Sequence, residues 1–144
     1  MREIHDWRPP RYDLIRRHTT DRVNRVLDQE TRSVLAQIGD EPHAIRQRLG
    51  ALDREWHLDR ALMGLFSVLG TVTAHRSMSA LRHGRRWSPW RALFWAQLGF
   101  LMHHAVRGWC PPVTLLRRIG FRSAQEISAE RVVLEKRLAS SDGL

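Results

Sequence analysis

A chain of 144 residues is long enough for one compact domain or one small unit with helical arms, and its 42% hydrophobic and 27% charged residues argue against wholesale disorder. The formal net charge of +9 comes from residues 61–122, which contain nine arginines and no Asp or Glu, so it points to an anionic partner. The one cysteine, Cys110, excludes an intrachain disulfide and fits a reducing compartment.

Residues 1–18 are predicted to form a polar, irregular arm. Pro9-Pro10 disfavours helix there, and Tyr12, Leu14 and Ile15 are the apolar side chains with which the arm can dock. The arm lacks the apolar core of a signal peptide, so we expect synthesis into the cytoplasm.

Two amphipathic helices follow the arm and complete an amino-terminal region of residues 1–57. Thr20 is a suitable cap for the first helix, over 20–39, in which apolar residues recur at helical spacing. Asp40-Glu41-Pro42 predicts the start of the second, over 42–57. Its near-heptad seam favours helix packing within the chain and comprises Ile45, Leu49, Leu52, Trp56 and Met63.

Residues 58–122 form the apolar and basic middle of the chain. Two apolar helices, about 58–83 and 88–107, are joined by a short basic turn, and this order predicts an antiparallel hairpin. Pro111-Pro112 then forces a bend, after which we expect a short helix over 113–119.

The carboxy-terminal region, residues 123–144, begins with the clearest local motif of the chain. Ser123 and Glu126 have the spacing of a capping box, which predicts a helix that runs to about Ala139. No run of alternating residues is long enough for a strand. We therefore predict an all-α fold, with an antiparallel helical hairpin and flanking amphipathic helices.

The sequence leaves two environments open for the hairpin. A helix needs about 20 apolar residues to cross a bilayer core of about 30 Å. The apolar runs Ala61–Ala74 and Trp90–Met102 provide fourteen and thirteen, and Arg76 and Arg91 disfavour a deep, straight crossing. A shallow or short-spanning membrane hairpin and a soluble helical core both fit these lengths.

Arginine and tryptophan near the hairpin ends favour the membrane interpretation. Arginines without acidic neighbours suit anionic headgroups, and tryptophans at helix ends are typical of an aromatic belt. The candidate anchors are Arg82, Arg85, Arg86, Trp87, Trp90 and Trp109. The same turn could bind nucleic acid through its arginines and tryptophans, although no known DNA-reading pattern accompanies it.

An antiparallel hairpin that turns near Gly84 brings its two open ends together. This register predicts an ion pair between Asp59 and Arg107 that closes the hairpin. It also gathers three imidazoles and a thiol, but closed zinc sites need four ligands and no tight ligand pair is present, so we expect no metal or other cofactor. The gathered residues are His57, His103, His104 and Cys110. Neither a serine-nucleophile elbow nor a glycine-rich phosphate loop occurs, so we do not expect an enzyme.

Three stretches of the chain resemble the YgaP-like transmembrane domain family. They are Leu52–Ala61, His104–Pro112 with its Gly-Trp-Cys-Pro-Pro run, and Leu115–Leu134. The resemblance covers roughly residues 45–138 and implies a two-helix membrane hairpin of unknown biochemical role. The family's hairpin is sometimes attached to a rhodanese sulfurtransferase domain, but this chain has no rhodanese-like active-site loop.

We therefore expect a non-enzymatic protein whose hairpin associates with the cytoplasmic face of the cytoplasmic membrane. Its amphipathic helices would remain in the cytoplasm as interaction surfaces. The expected partner is an anionic membrane surface or another helical protein, including a second copy in a homo-oligomer. The alternative is a soluble helical adaptor or oligomer whose core is the hairpin, and a basic nucleic-acid-binding protein is a third hypothesis.

Overall fold

The computed structural model describes residues 7–142, and every regular element within this range is a helix. The helices are α1 (Leu14–Arg17), α2 (Asp21–Ile38), α3 (Pro42–Arg54), α4 (Leu58–Arg82), α5 (Pro89–Arg107), α6 (Pro111–Arg118) and α7 (Ala124–Asp142). The predicted all-α class is confirmed. The first six residues of the predicted arm and the last two of the predicted tail lie outside the described residues.

Local hydrogen bonds explain where helices α3 and α7 begin. The carboxylate of Glu41 accepts hydrogen bonds from the backbone N–H groups of His43 and Ala44, at 3.2 and 2.6 Å. The bond from Ala44 lowers the pKa of Glu41. At α7 the Ser123 hydroxyl accepts from the Glu126 N–H at 3.1 Å, and the Glu126 carboxylate accepts from the Ser123 N–H at 2.9 Å. The capping box predicted from the sequence is therefore present.

The second amphipathic helix is shorter than the predicted 42–57. A short extended segment separates α3 from α4, because the Glu55 carboxylate accepts hydrogen bonds of 2.8 and 2.7 Å from Arg122. The Leu58 N–H also donates to the Arg122 carbonyl, at 2.8 Å. The predicted seam is interrupted as a result, and Trp56 and Met63 are 51% and 64% exposed.

Two apolar clusters hold the helices together. The first joins α2, α3 and α7 to the arm, and its buried residues are Trp7, Leu35, Ile45, Leu52, Ile127, Val133 and Leu134. The second joins α1, the start of α4 and α6, and its buried residues are Ile15, Leu58, Ala61, Leu62, Cys110, Val113 and Leu116. The arm therefore docks through Trp7 and Ile15, whereas Tyr12 is exposed.

A buried carboxylate on α7, Glu126, lies at the centre of one ionic network. It pairs with Arg117 of α6 at 2.5 Å and with Arg16 of α1. Arg117 is itself fully buried and also donates to Asn24 of α2 at 2.8 Å. Burial acts to raise the pKa of Glu126, but the hydrogen bonds and charge of Arg117 hold it below the ordinary value.

One helical turn further along α7, the buried Glu130 forms a second network. It pairs with Arg48 of α3 at 2.7 Å and with Arg122 at 2.5 Å. Burial acts to lower the pKa of Arg122, but Glu55 and Glu130 raise it above its ordinary value. Helices α1–α3, α6 and α7 form a body at the base of the hairpin. The ion pairs of the two networks neutralise arginines of this body.

Candidate interaction surface of the hairpin

Helices α4 and α5 pack along each other in opposite directions. The Oδ1 atom of Asp59 lies 3.3 Å from the Nε2 atom of His104, at the base of the hairpin. In the middle, Gln97 donates to Thr73 at 2.7 Å. Near the turn, the guanidinium carbon of Arg76 lies 5.5 Å from the ring centre of Trp90. Since these partners rise along α4 and fall along α5, the two helices are antiparallel.

The seam between α4 and α5 is polar in its middle. Thr73 and Gln97 are 0% and 5% exposed, and Ser77 is buried one turn beyond Thr73. The Thr73 hydroxyl accepts the hydrogen bond from Gln97 and donates to the backbone carbonyl of Leu69 at 2.8 Å. The middle of the seam therefore encloses a hydrogen-bonded polar pair, whereas the base of α4 buries Leu58, Ala61 and Leu62.

The outer surface of the hairpin is largely apolar, apart from a stripe of exposed polar residues on α4 that comprises Ser67, Thr71 and His75. The five consecutive residues 98–102 are all exposed, and at 100° per residue they turn through more than one full circle of α5. Large exposed apolar side chains on the two helices are Met63, Leu65, Val68, Val72, Met78, Leu81, Trp90, Leu93, Trp95, Leu98, Phe100, Leu101, Met102 and Val106. These exposed apolar residues are gathered on one pair of helices rather than scattered over the chain, so the hairpin is the candidate interaction surface.

The turn carries most of the predicted anchors. Arg82, Arg85, Arg86 and Trp87 are exposed, and among the described residues none of these arginines forms an ion pair. Trp90 is 38% exposed. The turn is therefore a cationic tip with exposed indole rings.

Trp109, the sixth predicted anchor, lies at the opposite end. Its ring stacks on His18 with 4.1 Å between centroids and meets the edge of His103 at 5.3 Å. It is partly buried between the hairpin base and the segment after α1. The predicted anchors are thus divided between the tip and the base.

The predicted ion pair between Asp59 and Arg107 does not form among the described residues. Asp59 contacts His104 instead, and Arg107 is exposed. His104 lies about one helical turn before Arg107 on α5, and it is His104 that comes level with Asp59.

The histidines and the cysteine at the hairpin base are engaged separately. The Nδ1 atom of His57 accepts from the Arg60 N–H at 3.3 Å and caps α4. Cys110 is buried in the second apolar cluster, and burial raises the pKa of its thiol. In residues 7–142, no group of three or more His, Cys, Asp or Glu side chains is placed to hold a metal ion.

Two further contacts were not anticipated from the sequence. The guanidinium of Arg60 lies over the Trp56 ring at 4.8 Å, so both ends of the hairpin carry a stacked arginine–tryptophan pair. Gln97 is the buried partner of Thr73. In the sequence, Gln97 stands out as the one carboxamide in an otherwise apolar run. Whether it is buried depends on which residues of α4 lie opposite.

Among the described helices, none is both long enough and apolar enough to cross a membrane. Comparisons with protein-family models, with curated proteins and with solved structures give no match.

Proposed function

We propose that this chain is a non-enzymatic membrane-associated helical protein. In this proposal the hairpin α4–α5 enters the apolar layer of an anionic membrane at its cytoplasmic face. The body that carries the two ionic networks remains in the cytoplasm and presents α2, α3 and α7 to other proteins. The resemblance to the YgaP-like transmembrane domain family implies a hairpin of the same kind.

The inverted polarity of the hairpin is the observation that carries the proposal. Gln97 and Thr73 are buried in the seam, whereas Leu98, Phe100, Leu101 and Met102 are exposed and spread over about 200° of the circumference of α5. A partner protein covers one side of a helix pair, but an acyl-chain environment surrounds it. An outward apolar surface around a hydrogen-bonded interior is the distribution that lipid favours.

The charge of the hairpin supports an anionic membrane in particular. Its tip arginines have no acidic partner among the described residues, whereas buried arginines of the body are paired with carboxylates. Each arginine near an anionic surface contributes about 1 kcal/mol of attraction. The unpaired positive charge of the tip is therefore available to anionic headgroups.

Co-flotation with liposomes tests the proposal. We expect the full chain to float with anionic vesicles, and high salt to weaken this binding without abolishing it, because the apolar contribution is not screened. The triple variant Arg82→Glu, Arg85→Glu and Arg86→Glu should lose at least about 100-fold in affinity for anionic vesicles. Unchanged flotation of this variant would contradict the role of the tip.

A second pair of variants tests the apolar surface. Phe100→Glu places a charge on the exposed surface of α5 and should abolish the salt-resistant binding, whereas Val26→Glu, on the exposed face of α2, should not change it. A monodisperse oligomer in buffer without detergent, with no flotation, would instead support the soluble adaptor. Binding to nucleic acid that high salt abolishes, again without flotation, would support the third hypothesis.

A further inference from the structure

Four arginines mark two levels on the hairpin. Arg60 and Arg76 lie sixteen residues apart on α4, and Arg91 and Arg107 lie sixteen residues apart on α5. Because the helices are antiparallel, Arg60 lies near the level of Arg107, and Arg76 lies near the level of Arg91. We call these the base level and the tip level.

Contacts between the helices support both levels. Arg76 stacks on Trp90, which is the immediate neighbour of the second tip-level arginine. Asp59 contacts His104, and each of them lies within about one helical turn of a base-level arginine. Equal spacing on the two helices and these contacts therefore place the two arginines of each level within about one helical turn of each other along the hairpin.

Each level also carries a stacked tryptophan. The Arg60 guanidinium lies 4.8 Å from the centre of the Trp56 ring, and the Arg76 guanidinium lies 5.5 Å from that of Trp90. Both tryptophans are exposed. Arginine and tryptophan are the residues that hold a helix end at the boundary between acyl chains and headgroups. The two levels thus have the composition of two membrane boundaries.

The segment between the levels contains no Asp, Glu, Lys or Arg. It consists of residues 61–75 on α4 and 92–106 on α5, and we call it the arginine-bounded band. At about 1.5 Å per residue, the two levels are about 24 Å apart. This is thinner than the average hydrocarbon core of about 30 Å.

We propose that the arginine-bounded band selects thin anionic bilayers, made of lipids with short acyl chains. The inference depends on the proposed function and adds the class of lipid that the hairpin takes. In a thin bilayer both levels lie close to headgroups, and Arg91 can keep the hydrogen bond of 2.6 Å that it donates to the Arg86 carbonyl. In a thicker bilayer the arginines must snorkel further or the lipid must thin around the hairpin, and each ångström of mismatch has a cost.

The experiment measures partition of the full chain into vesicles of graded thickness. The vesicles contain phosphatidylcholine and phosphatidylglycerol in one fixed ratio, with monounsaturated chains of fourteen to twenty-two carbons. We expect the strongest partition at fourteen carbons and a decrease of roughly three- to tenfold by twenty-two carbons. Partition that does not depend on chain length would overturn the inference and leave the proposed function intact.

A matched pair of double variants tests whether the arginines set the thickness. Arg76→Leu with Arg91→Leu removes the tip level, so the next arginines are Arg82 and Arg86 and the band lengthens. The acyl-chain length at which partition is strongest should then increase. Arg85→Leu with Arg86→Leu removes the same charge outside the band and should weaken binding without moving the optimum.

Circular dichroism confirms that both double variants keep their helix content before they are compared. The inference is overturned if removal of the tip level leaves the preferred acyl-chain length unchanged. It is also overturned if both double variants change that length equally. If the unmodified chain floats with none of the vesicles, the proposed function itself fails.

Discussion

The carboxamide of Gln97 on α5 donates a hydrogen bond of 2.7 Å to the hydroxyl of Thr73 on α4, inside a hairpin whose outer surface is largely apolar. The other carboxamide atom, Oε1, has no partner among the described residues, and neither has the Ser77 hydroxyl. A hydrogen bond in such surroundings is electrostatically strong, and a lost partner is costly. The pair therefore fixes the register in which the two arginine levels align.

Replacing one side chain of the Gln97–Thr73 pair should lower the free energy of unfolding more than replacing both. Thr73→Val leaves the Gln97 amide buried without an acceptor, and we expect it to lower the free energy of unfolding by about 1–3 kcal/mol. In the double variant with Gln97→Leu, much of this loss should be recovered, because no polar group is left unpaired. Denaturant unfolding in detergent micelles measures all three variants. A double variant as unstable as the sum of the single ones would contradict the pairing.

Removal of one partner from the buried pair of Glu126 and Arg117 should be among the most destabilising single changes in the body. Glu126→Gln leaves the buried Arg117 without a carboxylate, and we expect a loss of about 3–5 kcal/mol. Asp53 and Arg131 form an exposed pair, so the control Asp53→Asn should cost at most about 1 kcal/mol. Urea unfolding compares the two variants, and similar losses would show that burial of the first pair has no energetic consequence.

The Glu126 carboxylate should also make the stability of the body decrease at acidic pH. Its pKa is lower in the folded chain than in the unfolded chain, so the unfolded chain binds more protons as the pH falls. The stabilisation is complete at neutral pH, begins to fall near the ordinary carboxyl pKa of 4.5, and is lost as the pH falls through the lowered value. Urea titrations between neutral pH and pH 3 should therefore show a weaker decline in Glu126→Gln. An identical decline would contradict this assignment.

Local sequence was sufficient to predict most helix boundaries, since the groups that start and end a helix are close in the chain. Ser88-Pro89 and the capping box of Ser123 and Glu126 lie where α5 and α7 begin. Gly108 has a φ of +72° and ends α5. The segregation of arginine into the hairpin was also visible in the sequence.

Contacts between distant residues could not be predicted in the same way. The end of α3 depends on Glu55 and Arg122, which are 67 positions apart, and ion pairs at that separation leave no periodic pattern. The burial of Gln97 depends likewise on which residue of α4 lies opposite. The exact register of α4 against α5 was not predictable either. The sequence predicted a contact between Asp59 and Arg107, and the structure shows Asp59 against His104.

The left-handed glycine at the end of α5 should not tolerate a side chain. A Cβ atom at Gly108 would lie 3.0 Å from the Leu14 Cδ1 atom, in a backbone conformation that costs other residues about 1–2 kcal/mol. We expect Gly108→Ala to destabilise the chain by at least this amount. Gly50 lies within α3 with open space beside it, so Gly50→Ala should stabilise by about 0.5–1 kcal/mol. Thermal unfolding followed by circular dichroism would refute the argument if both changes had the same sign.

The buried thiol at the hairpin base should be almost unreactive in the folded chain. Cys110 is 0% exposed and burial raises its pKa, so little of the nucleophilic thiolate is present or accessible at neutral pH. We expect maleimide labelling at least about 100-fold slower than in the unfolded chain, because reaction requires local opening. The variant Ser140→Cys adds an exposed thiol on α7 and should label quickly with one equivalent, while Cys110 remains unmodified. Rapid labelling of the unmodified native chain would mean that the packing of α1, α4 and α6 around this residue is open in solution.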